Sequence, residues 1–497
     1  MLTDINSDAL ASLFKWMNHN SEKCCIINDD KSISYSEFHN YLISASLELK
    51  NFGEYDTVIL ACNDQFKNLV YGIAALALGI NIYVPGNVNF RTAFKKLTTQ
   101  GRSVFLLHEQ EKLQAVLPNL YIQEFSLKSQ LSNTELENPH LRAGIYLSSS
   151  GTTSRSQKLI YHRPVDLNSM MRRDCIARSF NEADLHICLI SVRFFTGFRR
   201  SIAALSSGGC VVFPGVKTSS KGFTKQINAL RVDHFSCVTS QVNSLLNWEK
   251  SQQFRFPFLK SLLVSGSPVH SALREKIIKN LTPNLFIGYG TNEIGEVSIC
   301  KPSHKCSADD SSVGFLLDGI VGEIRVDNNG FGNLFLRDIY GSDHYGNLEN
   351  EQTYFSPKDI AQLEDSGELF ILGRSDDVIF FEGININPID LENKIVSVLD
   401  VNGVAAFGDV RDKRLGAPVI FIEVDLDFDF AAINRSMRKI FRRVSDVEIW
   451  ACRKLPKTPS GKILKRSLKE FLRCGKAENL NPTDCSLVNP SVSTSNN

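Results

Sequence analysis

The stretch TVILACNDQFKNLVYGIAALALGINIYVPGN, residues 57–87, constrains the fold more than any other part of the chain. It reads as a strand over Thr57–Ala61, a helix over Phe66–Leu78 and a second strand over Asn81–Val84. Gly79 stops the helix and Pro85-Gly86 stops the second strand. Strand, helix, strand in this order requires a crossover, and hence parallel pairing within a sheet covered by helices. The same texture returns around SIAALSSGGCVVFPG (Ser201 to Gly215) and LKSLLVSGSPVHSALREKIIKNL (Leu259 to Leu281). The expectation is α/β: a large N-terminal domain of doubly wound α/β layers with a β-rich piece, and a small α+β C-terminal domain.

A chain of 497 residues exceeds what one hydrophobic core supports. Its texture shifts after about residue 313 to strand-like pieces, GEIRV, GNLFLRD and ELFILGR, and a small α+β segment follows Arg374. The clearest strand there is VIFIEVDLDFDF, where Val424, Leu426, Phe428 and Phe430 alternate with acids and predict one apolar and one wet face. The expected boundaries are 1–374, 375–475 and a polar, disordered tail over 476–497. A formal charge of +1 gives no field that would favour nucleic acid. The N-terminus has no basic lead-in to an apolar core, so it reads as neither signal nor membrane span, and the expected location is cytoplasmic. Twelve scattered cysteines without a CxxC pair read as reduced thiols. Cys300, His304 and Cys306 lack a fourth ligand for zinc.

Four stretches carry chemistry. YLSSSGTTSRSQKLIYH places Ser149, Ser150, Gly151, Thr152 and Thr153 after a strand, with Lys158 beyond them. Consecutive N–H groups of a small-residue turn make an anion nest, and hydroxyls add donors. A plain polar loop fits that one stretch equally, and the spacing is not that of a Walker loop. IGYGTNEIGEVS flanks Tyr289 with Gly288 and Gly290, so a backbone can approach a flat ligand; Glu293 can hold magnesium through oxygen. In the stretch Asp359–Glu392, an acid, a hairpin and Arg374 can grip sugar hydroxyls. PKTPSGKILKR sets Lys462 on a loop after Ser-Gly, within reach of developing negative charge. Each stretch alone also reads as a surface turn.

Together, in this order, the four blocks resemble the adenylate-forming enzymes: acyl-CoA synthetases, peptide-synthetase adenylation domains and luciferases. The resemblance spans Thr57 to Arg466. It implies that Ser149 to Thr153 and Lys158 hold the ATP phosphates. Gly266, Ser267 and Pro268 would form the adenine turn with Tyr289, Gly290, Thr291 and Asn292. Glu293 would bind Mg2+, Asp359 and Arg374 the ribose, and Asp376 would be the hinge. Lys462 would contact the carboxylate and α-phosphate. The implied activity is an ATP-dependent acid–thiol ligation through an acyl-AMP, with CoA or the phosphopantetheine of a carrier protein as acceptor. A non-catalytic nucleotide- or acyl-binding homologue is the reading from another class.

The chain departs from the family pattern at several points: Ser154 for a glycine, Ser156-Gln157 for a proline, Asn292 for a threonine, Pro357-Lys358 before Asp359, and Phe380 for a lysine. SVRFFTGFRR lacks the acid that would pair an α-ammonium. Its Phe194, Phe195 and Phe198, with Gly288, suggest a pocket for an apolar or aromatic acid; the phenylalanines fit a core equally.

Overall fold

The computed structural model describes residues 8–488 except 30, 87–89, 109–118, 122–139, 149–158, 215–219, 248–254, 305, 308, 310, 328–331, 342–353, 382–383, 400, 402, 412–415, 425–428, 442–446, 458–462 and 476–484. The expected crossover is present: strand Thr57–Leu60, helix Gln65–Leu78, strand Asn81–Tyr83. Asp64 caps the helix by accepting from the Phe66 and Lys67 amides, and Gly79 closes it at φ +83°, a left-handed geometry that favours glycine. These strands belong to a six-stranded sheet that ends in Ile145–Ser148 and Leu159–His162.

A second sheet has thirteen strands. In one half of it Cys24–Asn28, Cys210–Phe213, Leu185–Cys188, His234–Val238, Ser261–Ser265 and Leu285–Thr291 run parallel. All five residues of Ser261–Ser265 are buried, as expected where helices cover both faces. Beyond Leu285–Thr291 the pairing turns antiparallel through Gly295–Cys300 and Ser312–Leu316 to Glu368–Arg374 and Asp359–Leu363. This is the β-rich piece anticipated from the change of texture.

From residue 379 onward the core residues cluster only among themselves. Gly403–Gly408, Pro418–Glu423, Glu448–Cys452 and Cys485–Leu487 form a separate four-stranded sheet. Three expectations need correction here. Pro418–Glu423 is buried along nearly its whole length because both its faces are covered, Ile420 and Ile422 lying in one hydrophobic cluster and Val419 and Phe421 in another; Leu426 and Phe428 lie outside the described residues, and Phe430 starts a helix rather than ending a strand. The 476–497 segment is not wholly a disordered tail: Cys485–Leu487 pairs with Glu448–Cys452, and Val488 joins the core. Nor are all cysteines free, since Cys452–Cys485 and Cys300–Cys306 are disulfides. Cys452 and Cys485 face each other across the two antiparallel strands. No helix among the described residues is long and apolar enough to cross a membrane.

Candidate active site

The carboxyl ends of the parallel strands bring the candidate residues together. Val238, Ser265 and Gly288 are register partners in one row. Ligands of open α/β sheets bind outside such strand ends. Past Ser265 the chain turns through Gly266, at φ +90°, into Ser267-Pro268 and the helix Ser271–Asn280. Past Gly288 it bulges between Tyr289 and Gly290. A Cβ at Gly288 would run into Glu296 Oε1, so glycine is needed there for close approach.

Tyr289 and the hairpin expected to grip a sugar do meet. Asp359 and Arg374 are register partners on adjacent antiparallel strands. Tyr289 Oη donates to Asp359 Oδ2 at 2.5 Å, and Arg374 donates to Asp359 Oδ1 at 3.2 Å and to the Pro357 carbonyl at 3.1 Å. Burial, then the adjacent carboxylate, hold the Tyr289 phenol well above its usual pKa, so it remains a donor. Arg374 Nε is buried without a hydrogen-bond partner. An orphaned cationic donor beside a carboxylate fits a ligand that offers both hydroxyls and acceptors, as the ribose of ATP does.

Glu293 lies half-exposed on the turn between Leu285–Thr291 and Gly295–Cys300. Thr291 Oγ1 accepts from the Ile294 amide at 3.1 Å and shapes that turn. One carboxylate supplemented by phosphate oxygens is a usual magnesium donor set, and Glu293 would be the protein's ligand. His162, which the sequence reading missed, ties this turn to the strand Leu159–His162. Its Nε2 bonds the Asn292 carbonyl at 2.7 Å, and its ring stacks on Phe195. A carbonyl only accepts, so Nε2 carries the proton. Burial pushes the His162 pKa down to about 4. The only signal in the sequence was a histidine at the end of a strand.

Ser149, Ser150, Gly151, Thr152, Thr153, Lys158 and Lys462 lie outside the described residues. The stems of their loops are described. Ser148 pairs with Leu159 across one loop. Lys457 bridges to Ile463 across the other, and Lys457 Nζ lies 2.8 Å from Glu423.

Asp376 sits in the single turn Ser375–Asp377 that follows Arg374. Lys469 grips that turn through the Asp376 carbonyl and Asp377 Oδ1, both at 2.7 Å. Burial raises the Asp377 pKa, but Lys465 and Lys469 outweigh it and hold the group low.

Two of the three phenylalanines of SVRFFTGFRR lie in the large core cluster. Phe198 is fully buried in the core, where its ring packs against Gly72. Phe195 belongs to the same core, and Phe194 lies against Gly86. Helix Phe195–Ser206 also presents buried arginines: Arg199 pairs with Asp174, and Arg200 with Glu296 at 2.7 Å.

A family model of AMP-binding enzymes matches residues 13–332. The 2-succinylbenzoate–CoA ligase of Listeria monocytogenes serotype 4b (strain F2365) is 26% identical over 361 residues, covering 68% of this chain and 74% of the ligase. The o-succinylbenzoate CoA synthetase of Bacillus subtilis, solved with its acyl-adenylate OSB-AMP, superimposes with a TM-score of 0.77 at 19% identity, over 94% of this chain and 99% of that one. The anthranilate CoA ligase AuaEII, solved with anthranoyl-AMP, gives 0.78 at 18% identity, over 95% and 98%. With the family model matching well over half of its length, the chain belongs to the family of AMP-binding enzymes.

Proposed function

We propose that this chain is an ATP-dependent carboxylic acid ligase that makes an acyl adenylate and passes the acyl group to the thiol of CoA. The observation that carries this reading is the Tyr289–Asp359–Arg374 cluster beside Gly288, at the ends of the parallel strands. The family model supports the nucleotide chemistry, and curated relatives that bear the name CoA ligase support the acceptor.

A carboxylate is a poor electrophile. Attack of its oxygen on the ATP α-phosphorus forms an O–P bond, breaks the bridging P–O bond and releases pyrophosphate. The product is a mixed anhydride. A thiolate then attacks its carbonyl carbon and AMP leaves with the electron pair. The first step needs in-line positioning and charge neutralisation more than proton transfer. Asp359 and Arg374 would orient the ribose, the 149–158 loop would hold the phosphates, and Lys462 would meet the charge on the carboxylate and α-phosphate. Mg2+ held at Glu293 would neutralise phosphate charge. Residues 375–475 form the mobile domain in this reading, turning at Asp376 to withdraw Lys462 before the thiol enters.

The test is to mix the protein with ATP, Mg2+, a panel of carboxylic acids and hydroxylamine. Acid-dependent pyrophosphate release with hydroxamate formation supports the reading. Nucleotide binding without any acid-dependent turnover would favour a non-catalytic binding protein.

A further inference from the structure

A small cavity of about 10 Å3 lies inside the large domain, lined by Arg178, His186, Cys188, Arg200, His234 and Ser236 together with apolar side chains. Its position follows from register. Cys188 pairs with Ser236 and His186 with His234. The row of Val238, Ser265 and Gly288 stands two residues further along the same strands. Residues two apart share a sheet face, so the cavity lies on the face that carries Gly288, about 6.6 Å deeper at ~3.3 Å per residue. Arg200 joins the two levels: it donates to Ser265 Oγ at 3.3 Å and to Glu296 at 2.7 Å, and Glu296 abuts Gly288.

The lining carries one positive charge too many. Arg199 is paired with Asp174 and Arg200 with Glu296. Arg178, only 6% exposed, donates to Ser236 Oγ at 2.7 Å and lies over the Phe180 ring. It has no carboxylate partner among the described residues. Arg178 Nε, Arg200 Nε and Nη1, and His186 Nε2 are all buried without hydrogen-bond partners. The other lining groups bring no negative charge: burial holds His186 and His234 neutral and pushes the Cys188 thiol up. Asp184 beneath them is engaged by Lys260 at 2.6 Å and His234 at 3.0 Å. An unmatched buried guanidinium with free donors is costly unless an anion completes it.

We propose that the Arg178–Arg200 cavity is an anion subsite one pleat inward from the Gly288 row, and that it receives a second carboxylate of the substrate. This inference rests on the ligase reading above. It names the substrate class as dicarboxylic acids whose second group reaches one pleat inward from Gly288. Guanidinium donors match a carboxylate in charge and shape. The cavity admits about one water-sized group, the size of a single carboxylate oxygen. A free inorganic anion offers similar chemistry, so the test separates the two sources.

Adipate and hexanoate have the same length and differ by one terminal carboxylate. Thermal denaturation is followed with each acid in the presence of α,β-methylene-ATP, and pyrophosphate release is followed with ATP. Adipate is expected to stabilise the wild-type protein more than hexanoate does, and to give at least about a tenfold higher kcat/KM. Arg178→Met should bring both ratios close to one, and Arg178→Lys should restore part of the preference. Equal responses of the wild-type protein to the two acids overturn the proposal, whether or not the variants fold. So does an adipate preference that survives in a folded Arg178→Met protein. Stabilisation by chloride over gluconate that is lost in Arg178→Met, with no adipate preference, would assign the cavity to a free halide and overturn the substrate assignment. Adipate-specific stabilisation without pyrophosphate release from any acid would refute the ligase reading and leave the anion subsite standing.

Discussion

Replacing Asp359 with alanine tests the nucleotide site at its centre. Asp359 is 7% exposed, and its carboxylate accepts from Tyr289 Oη at 2.5 Å and from Arg374 at 3.2 Å. The first is short and buried, and a bond of that kind to a charged group contributes roughly 1.5–3 kcal/mol. The second involves a guanidinium side chain that is 28% exposed, so solvent screening holds it to about 1 kcal/mol or less. Alanine removes both, leaves the Tyr289 hydroxyl buried without its acceptor, and should lower unfolding stability by about 2–3 kcal/mol. In the proposed site the same carboxylate holds the ribose hydroxyls. Its loss should weaken ATP binding by about tenfold to a hundredfold, or roughly 1.4–2.8 kcal/mol. Denaturant titration measures the first quantity and calorimetry the second. Tyr289→Phe separates the two roles, because it removes the donor but keeps the carboxylate. That variant should lose stability with a smaller effect on ATP affinity. A folded Asp359→Ala protein that binds ATP as tightly as wild type would show that the cluster is structural, and would remove Asp359 from the site.

Three further outcomes are expected. His162 is neutral when folded, with a pKa of about 4 against an ordinary value near 6.5. The unfolded chain therefore binds the extra proton first, and stability should fall as pH drops from about 6.5 to 4, by about 3 kcal/mol in all; a folded His162→Gln protein with the same acid slope would place the effect elsewhere. Lys462→Ala should slow adenylate formation by at least roughly a hundredfold, yet leave thioester formation from supplied acyl adenylate near wild type, and equal damage to both half-reactions would show that the lysine is not withdrawn between them. Lys469→Met removes the grip on the Asp376–Asp377 turn and should cost about 2 kcal/mol in denaturant unfolding, whereas an unchanged midpoint would mean that Lys465 alone holds Asp377.

Local pattern made much of this molecule legible in advance. The crossover at residues 57–83 follows from strand and helix periods and from Gly79. Asp359 and Arg374 could be paired because a short hairpin fixes its own register. The misses have a common physical origin, in partners remote along the chain. Arg199 and Arg200 look like the polar end of an aromatic run until Asp174 and Glu296 fold against them. Cys485–Leu487 sits in a polar stretch with little apolar content. Its strand forms because Glu448–Cys452 offers an edge to pair with and Cys452 a sulfur to bond. His162 gave only a weak signal, since a single histidine at a strand end has no periodicity to read.

The central claim is that a carboxylate oxygen of the acid attacks the α-phosphorus of ATP. It is tested most directly by supplying an acid substrate labelled with 18O in its carboxylate, together with ATP, Mg2+ and CoA, and measuring the mass of the released nucleotide. One 18O atom in AMP, with unlabelled pyrophosphate, is the predicted result. Label in orthophosphate alongside ADP, or AMP that forms without acid-derived oxygen, would contradict it.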